Sequence, residues 1–194
     1  MCSSDLTDYQ RVLQSLIQKT QDGSWNLNQQ KRQRSSILPR IALYKTFLQY
    51  GIEKEKAIEL TRERAEYLGN KANKVLKTCF AFPCFSTVFR NVFRKSMNGT
   101  EIWTSQFLKD NKKELDINIY KCLWKDTCDY FGCPELCELF CSGDWIVFGN
   151  IRRLTIVFTH TAYLHKYIGS ICVVVLFSIV YSKLNILFDT LFES

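Results

Sequence analysis

What this chain lacks narrows its function first. No G-x-x-x-x-G-K-[ST] loop, G-x-G-x-x-G turn, G-x-S-x-G elbow or H-E-x-x-H pair occurs in its 194 residues. Each motif has a physical purpose. Glycine loops let backbone N–H groups approach phosphates, the elbow exposes a strained serine, and histidines one helical turn apart grip zinc. Their absence argues against nucleotide-dependent enzymes, serine hydrolases and zinc proteases. Histidine is scarce: His160 and His165 are the only two. Imidazole acid–base chemistry therefore has few places to reside. Three prolines, no repeat and no low-complexity block leave a globular composition, 46% apolar and 14% aromatic.

Long hydrophobic runs are also missing. Residues 168–181 carry no charge. They fall short of the roughly 20 apolar residues of a spanning helix, and their β-branched content reads as a buried strand. No apolar leader follows Met1, so the expectation is a cytoplasmic chain with reduced thiols. Net charge is +7, unevenly spread: residues 1–100 hold 17 basic and 8 acidic side chains, the remainder 9 and 11. The basic residues alternate with glutamates along helical segments such as EKEKAIELTRERAEYL. That pattern marks a solvated face and disfavours a nucleic-acid partner.

Cysteine is what the chain has in excess. Five of nine lie in KCLWKDTCDYFGCPELCELFCSGD: Cys122, Cys128, Cys133, Cys137 and Cys141. The C-x2-C pair of zinc ribbons is absent. Free cysteine packs well as a small hydrophobe, and Cys128, Cys133 and Cys137 are read that way. A helix opening at Pro134 stacks Cys137 and Cys141 on one face, with Asp144 just past its end. A thiol beside a carboxylate suits nucleophilic or general-base chemistry. A non-enzymatic metal (zinc or iron–sulfur) or redox module is the alternative. A membrane-associated protein using 85–93 and 168–181 is a further one.

Periodicity predicts helices at about 5–20, 39–51, 53–78, 79–98, 122–131 and 134–141. Pro39 opens the second and Gly51 closes it. Residues 21–36 read as a polar linker, so 1–36 is taken as an appendage to a single domain, 37–194. Strands are predicted at 101–108, 114–122, 153–160 and 171–181, with Ile102, Leu115, Ile117 and Ile119 facing inward. The fold class is α+β: N-terminal helices, then a small antiparallel β-sheet with a cysteine-rich helical insert.

Two segments, LPRIALYKTFLQYGIEKEKAIEL and KCLWKDTCDYFGCPELCELFCSGDWIVFGN, resemble the L-2-amino-thiazoline-4-carboxylic acid hydrolase family. The matching features are Cys122, the turn Gly132-Cys133-Pro134-Glu135-Leu136, and Phe140-Cys141-Ser142-Gly143-Asp144. The similarity spans about 37–172, and an apolar tail, 173–194, diverges. Where that family carries arginine this chain has His160, and where it carries aspartate after a cysteine this chain has Val173. The resemblance implies hydrolytic opening of a thiazoline ring to an N-carbamoyl-cysteine, with impairment by the altered C-terminus a consequence to weigh. It gives Asp144 the water-activating role and Cys141 that of nucleophile or metal ligand. His160 becomes the carboxylate partner or acid, and Cys122, Thr161 and Cys172 substrate contacts. A divalent ion is left open, with Cys141, Asp144 and Cys172 as its candidate ligands. The implied partner is a small-molecule substrate.

Overall fold

The computed structural model describes residues 3–82, 84–98, 101–111, 114–151, 154–160 and 171–177, with 3–5 and the two last ranges as backbone only. Its helices are α1 (Ser3–Gln21), α2 (Leu27–Arg32), α3 (Leu38–Gln49), α4 (Lys54–Phe80), α5 (Phe85–Met97), α6 (Leu123–Tyr130) and α7 (Leu136–Phe148). Its strands are β1 (Trp103–Asp110), β2 (Glu114–Cys122), β3 (Leu154–His160) and β4 (Ile171–Phe177). The α+β expectation holds, and α6 and α7 lie between β2 and β3 in the chain. Packing divides the residues into two units, Met1–Leu68 with Leu123–Gly143, and Gly69–Cys122 with Asp144–Ser194.

The first unit is helical. Leu16 of α1, Ile37, and Leu38, Ile41, Ala42 and Tyr44 of α3 are buried with Leu123, Cys128, Leu136 and Leu139. Pro39 stands in the first turn of α3, where its missing N–H costs nothing. Gly51, at φ +74°, closes the helix, with Ile52 N–H donating to Phe47 O at 3.1 Å.

The expected linker at 21–36 is a correction: it contains α2 and a π-helical turn, Gln33–Ile37. Polarity concealed a capping box. Asn26 Oδ1 accepts from Gln29 N–H at 3.0 Å, and Gln29 Oε1 accepts from Asn26 N–H at 3.1 Å. Tertiary contacts then hold a segment too short to persist alone. Trp25 meets Tyr130 edge-on at 4.7 Å, and Gln33 Nε2 donates to Thr127 Oγ1 at 3.0 Å.

The second unit is built on an antiparallel sheet of order β1-β2-β4-β3. β2 alternates as expected, burying Leu115, Ile117 and Ile119. Over them lie Leu76, Phe80, Phe89 and Met97. The Phe stripe of α5 is therefore a core face: Phe89 lies 5.2 Å from Phe80, 5.9 Å from Phe93 and 5.9 Å from Phe148. Arg90 and Arg94 both pair with Asp110. Gly69 does not break α4. It admits Ile146, whose Cγ2 would stand 3.1 Å from any Cβ placed there. Among the described residues no helix is long and apolar enough to cross a membrane. Residues 171–177 form the expected strand, and 178–181 lie outside the described residues.

Candidate active site on the cysteine-bearing helices

The turn between α6 and α7 is a Schellman closure. Gly132, at φ +66°, takes the left-handed position. Cys133 N–H donates to Cys128 O at 2.9 Å and Gly132 N–H to Asp129 O at 3.1 Å. Such closures carry an apolar contact between the residue after glycine and the helix's third-last residue. Here both are cysteines, Cys133 and Cys128, and both are fully buried. The Cys133 thiol donates to Cys128 O at 3.5 Å. The hydrogen bond to Cys133, together with burial, pushes the Cys128 thiol well above its ordinary value. Neither thiol is reachable, so these two are packing residues, as expected.

α7 departs from its expected end. Ser142-Gly143 normally signals a stop, and an interior glycine costs about 1 kcal/mol relative to alanine. The helix nevertheless runs through to Phe148. The residues beyond the glycine explain it: Val147 and Phe148 pack on the second unit's core, and Ile146 packs on Gly69. Burial of three apolar side chains, each stabilising by about 1.5–3 kcal/mol when complete, outweighs the glycine. Asp144 is therefore inside α7, three residues after Cys141, and exposed. Helical spacing of four and three puts Cys137, Cys141 and Asp144 along one face.

Cys137 differs from the expectation of plain packing. It is half-buried in the first turn of α7. A hydrogen bond from the Cys141 thiol, reinforced by the Lys125 ammonium, holds its thiol below the usual cysteine range against the opposing effect of burial. Lys125 in turn pairs with Asp129.

Glu135, the acidic residue of the Gly-Cys-Pro-Glu-Leu turn, is anchored from two directions. Tyr44 donates its hydroxyl to Glu135 Oε1 at 2.6 Å, and Lys54 Nζ stands 3.0 Å from the same oxygen. Burial would raise the Glu135 carboxyl, but the bonds from Tyr44 and Lys54 hold it below its ordinary value. Burial and the Glu135 carboxylate push the Tyr44 phenol up. Sequence analysis did not single out Tyr44 and gave Glu135 no role beyond its place in the turn motif. The available signal was that a buried tyrosine needs a partner for its hydroxyl. Which partner was not legible.

The remaining candidates belong to the sheet. Cys122 ends β2, half-buried against the second unit's apolar cluster. His160 ends β3 opposite Ile171, and Cys172 of β4 is in register with Asn118 and Thr159. Thr161 lies outside the described residues, as do the side chains of His160, Cys172 and Val173. Among the described residues no three His, Cys, Asp or Glu side chains gather to hold a metal ion.

Comparison with known proteins adds one finding. The family model for L-2-amino-thiazoline-4-carboxylic acid hydrolase matches residues 30–166, a span that includes α3 through α7 and β1 through β3. No curated protein and no solved structure matches the chain.

Proposed function

Because the chain belongs to the L-2-amino-thiazoline-4-carboxylic acid hydrolase family, we propose that it is a small-molecule hydrolase opening the ring of a 2-aminothiazoline carboxylate. The target carbon is bonded to two nitrogens and a sulfur. Addition of water and loss of the carbon–sulfur bond yields an N-carbamoyl-cysteine. That chemistry needs a nucleophile, a base for water and a donor for the departing sulfur.

The observation that carries this reading is the continuity of α7, which sets cysteine thiols and Asp144 along one helical face within the matched span. Asp144 is exposed and carboxylate-bearing, suited to accept a proton from water. A cysteine of α7 is the covalent partner. His160, standing where the family carries arginine, takes the substrate carboxylate as a monodentate partner, a weaker grip than a guanidinium fork.

The test is direct. The full-length protein is incubated with 2-aminothiazoline-4-carboxylate while released thiol is followed with a chromogenic disulfide and the product by mass spectrometry. Stoichiometric appearance of thiol and N-carbamoyl-cysteine is expected. A rate equal to that of buffer alone rejects this substrate class.

A further inference from the structure

A second chemical feature lies outside the cysteine-bearing helices. From residue 23 to residue 52 the chain holds Lys31, Arg32, Arg34, Arg40 and Lys45 and no aspartate or glutamate. On α4, by contrast, lysines and arginines alternate with glutamates. Leu27, Gln30, Lys31, Arg34 and Ser35 recur at helical spacing along α2 and the π-helical turn, which makes them one stripe. They line a surface cavity of about 340 Å³ within the first unit, and among the described residues no carboxylate joins them. The inner side of the same stretch is sealed. Gln33 and Ile37 are fully buried, and Gln33 Nε2 donates to Thr127 Oγ1 at 3.0 Å. Gln30 Nε2 donates to Trp25 O at 2.9 Å, and the Asn26–Gln29 capping box fixes the start of α2. The cavity wall is thus held in place before a ligand arrives, which lowers the ordering cost of binding.

We propose that this cavity binds a small organic anion, a carboxylate or phosphate monoester carrying a short aliphatic body. The volume fits, since ligand cavities run from about 300 Å³ upward. The charge fits as well. Lys31 and Arg34 stand three residues apart on one helical stripe, where like charges repel, and an anion between them turns that repulsion into attraction. Arg34 offers a planar fork that matches two oxygens of a carboxylate or phosphate, and Lys31 adds a point charge. Leu27 is 82% exposed, the highest value of any large apolar side chain among the described residues. An aliphatic body laid against it takes that surface out of water. A solvated basic face is the plain reading of such a stripe, and the sequence speaks against it. No aspartate or glutamate stands three or four residues from Lys31 or Arg34, so the ion pairs that settle a solvated helix face have no local acid. Neither the cysteines nor Asp144 take part, so the site stands whether or not the chain opens a thiazoline ring.

The test uses the full chain and the probes inorganic phosphate, hexyl phosphate, hexanoate and uncharged hexanamide, each titrated by calorimetry. Hexyl phosphate or hexanoate is expected to bind more tightly than inorganic phosphate, and hexanamide to give no heat at millimolar concentration. The tighter of the two alkyl anions identifies the head group. Arg34→Gln is expected to weaken that anion roughly tenfold or more, the scale of a hydrogen bond to a charged group. Leu27→Ser should weaken the alkyl anion and leave inorganic phosphate as in the wild type. Arg62→Gln removes an exposed cation of α4 that pairs with Glu59, and should change nothing. Native circular dichroism checks each variant, and if Arg34→Gln does not fold, Lys31→Gln is expected to show the loss instead. Several outcomes overturn the site: no heat with any probe at millimolar concentration, equal affinity for hexanamide and the anions, or wild-type affinity in folded Arg34→Gln. An equal loss in Arg62→Gln does so too, because the probe then reads net charge alone.

Discussion

The Tyr44 hydroxyl and Glu135 Oε1 meet at 2.6 Å, 91 residues apart in the chain. One lies in a leading helix and the other in the turn between the cysteine-bearing helices. The bond is charge-assisted, and Lys54 shares the same carboxylate oxygen. The path of the α6–α7 turn is thereby tied to α3.

Tyr44→Phe keeps the buried ring and removes the bond. A hydrogen bond to a charged group typically contributes about 1.5–3 kcal/mol, so a loss of that order is expected in urea unfolding. An unchanged midpoint means Lys54 alone satisfies Glu135.

The same pair sets the pH dependence at both ends. The Glu135 carboxyl is held low in the folded state. Its contribution is therefore fully present above the unfolded value of about 4.3 and is lost as pH falls through the folded value. The Tyr44 phenol is held high. Its contribution is present below about pH 10 and lost as pH rises toward its folded value. Tyr44→Phe should flatten both limbs of a stability-versus-pH curve. Parallel wild-type and mutant curves would falsify this assignment.

Gly132→Ala tests the Schellman closure. The residue sits at φ +66°, where a Cβ has open space around it but the backbone is strained. A left-handed alanine costs about 1–2 kcal/mol. A stability loss of that size is expected, with Cys128 and Cys133 becoming more accessible to thiol reagents. No change in either measure removes the turn from the account.

Gln33 is fully buried in the π-helical turn, and its Oε1 has no partner among the described residues. An unmet buried acceptor costs about 1–3 kcal/mol. Gln33→Leu removes it together with the bond to Thr127, whose own hydroxyl still donates to Leu123 O at 2.6 Å. Thermal unfolding of Gln33→Leu should match or exceed that of the wild type. Gln33→Ala, which leaves a cavity, should fall about 2 kcal/mol or more below it. A severe loss in Gln33→Leu would show that the amide meets a buried polar need.

Asp144→Asn changes charge at an exposed position. Stability should stay within about 0.5 kcal/mol. Ring opening should fall by about 100-fold or more, the scale of general-base catalysis. Full turnover in the asparagine variant takes Asp144 out of the mechanism.

Much of the fold was legible because local rules were sufficient. Pro39 and Gly51 bracket α3, period-two alternation marks β2, and the Phe stripe marks α5. α2 was missed because a capping box looks like polar linker when only hydrophobic periodicity is followed. The site was half legible. Cys128 and Cys133 were rightly read as packing, but Cys137 was grouped with them. Spacing set Cys141 one turn along the same helix, but Lys125 stands on α6, whose packing against α7 no spacing reveals.

The sequence by itself determined the element types, the antiparallel hairpin and the family motif, because backbone sterics and residue periodicity act over a few positions. The tertiary structure alone decided that α7 runs through Ser142-Gly143 to Phe148, since burial of Ile146, Val147 and Phe148 outweighs a local stop signal. It also decided that Glu135 answers to Tyr44 and Lys54, and that the Lys125 ammonium of α6 acts on the Cys137 thiol. A thiol or carboxyl takes its character from the charges and donors that packing brings against it, and most of those stand on other helices.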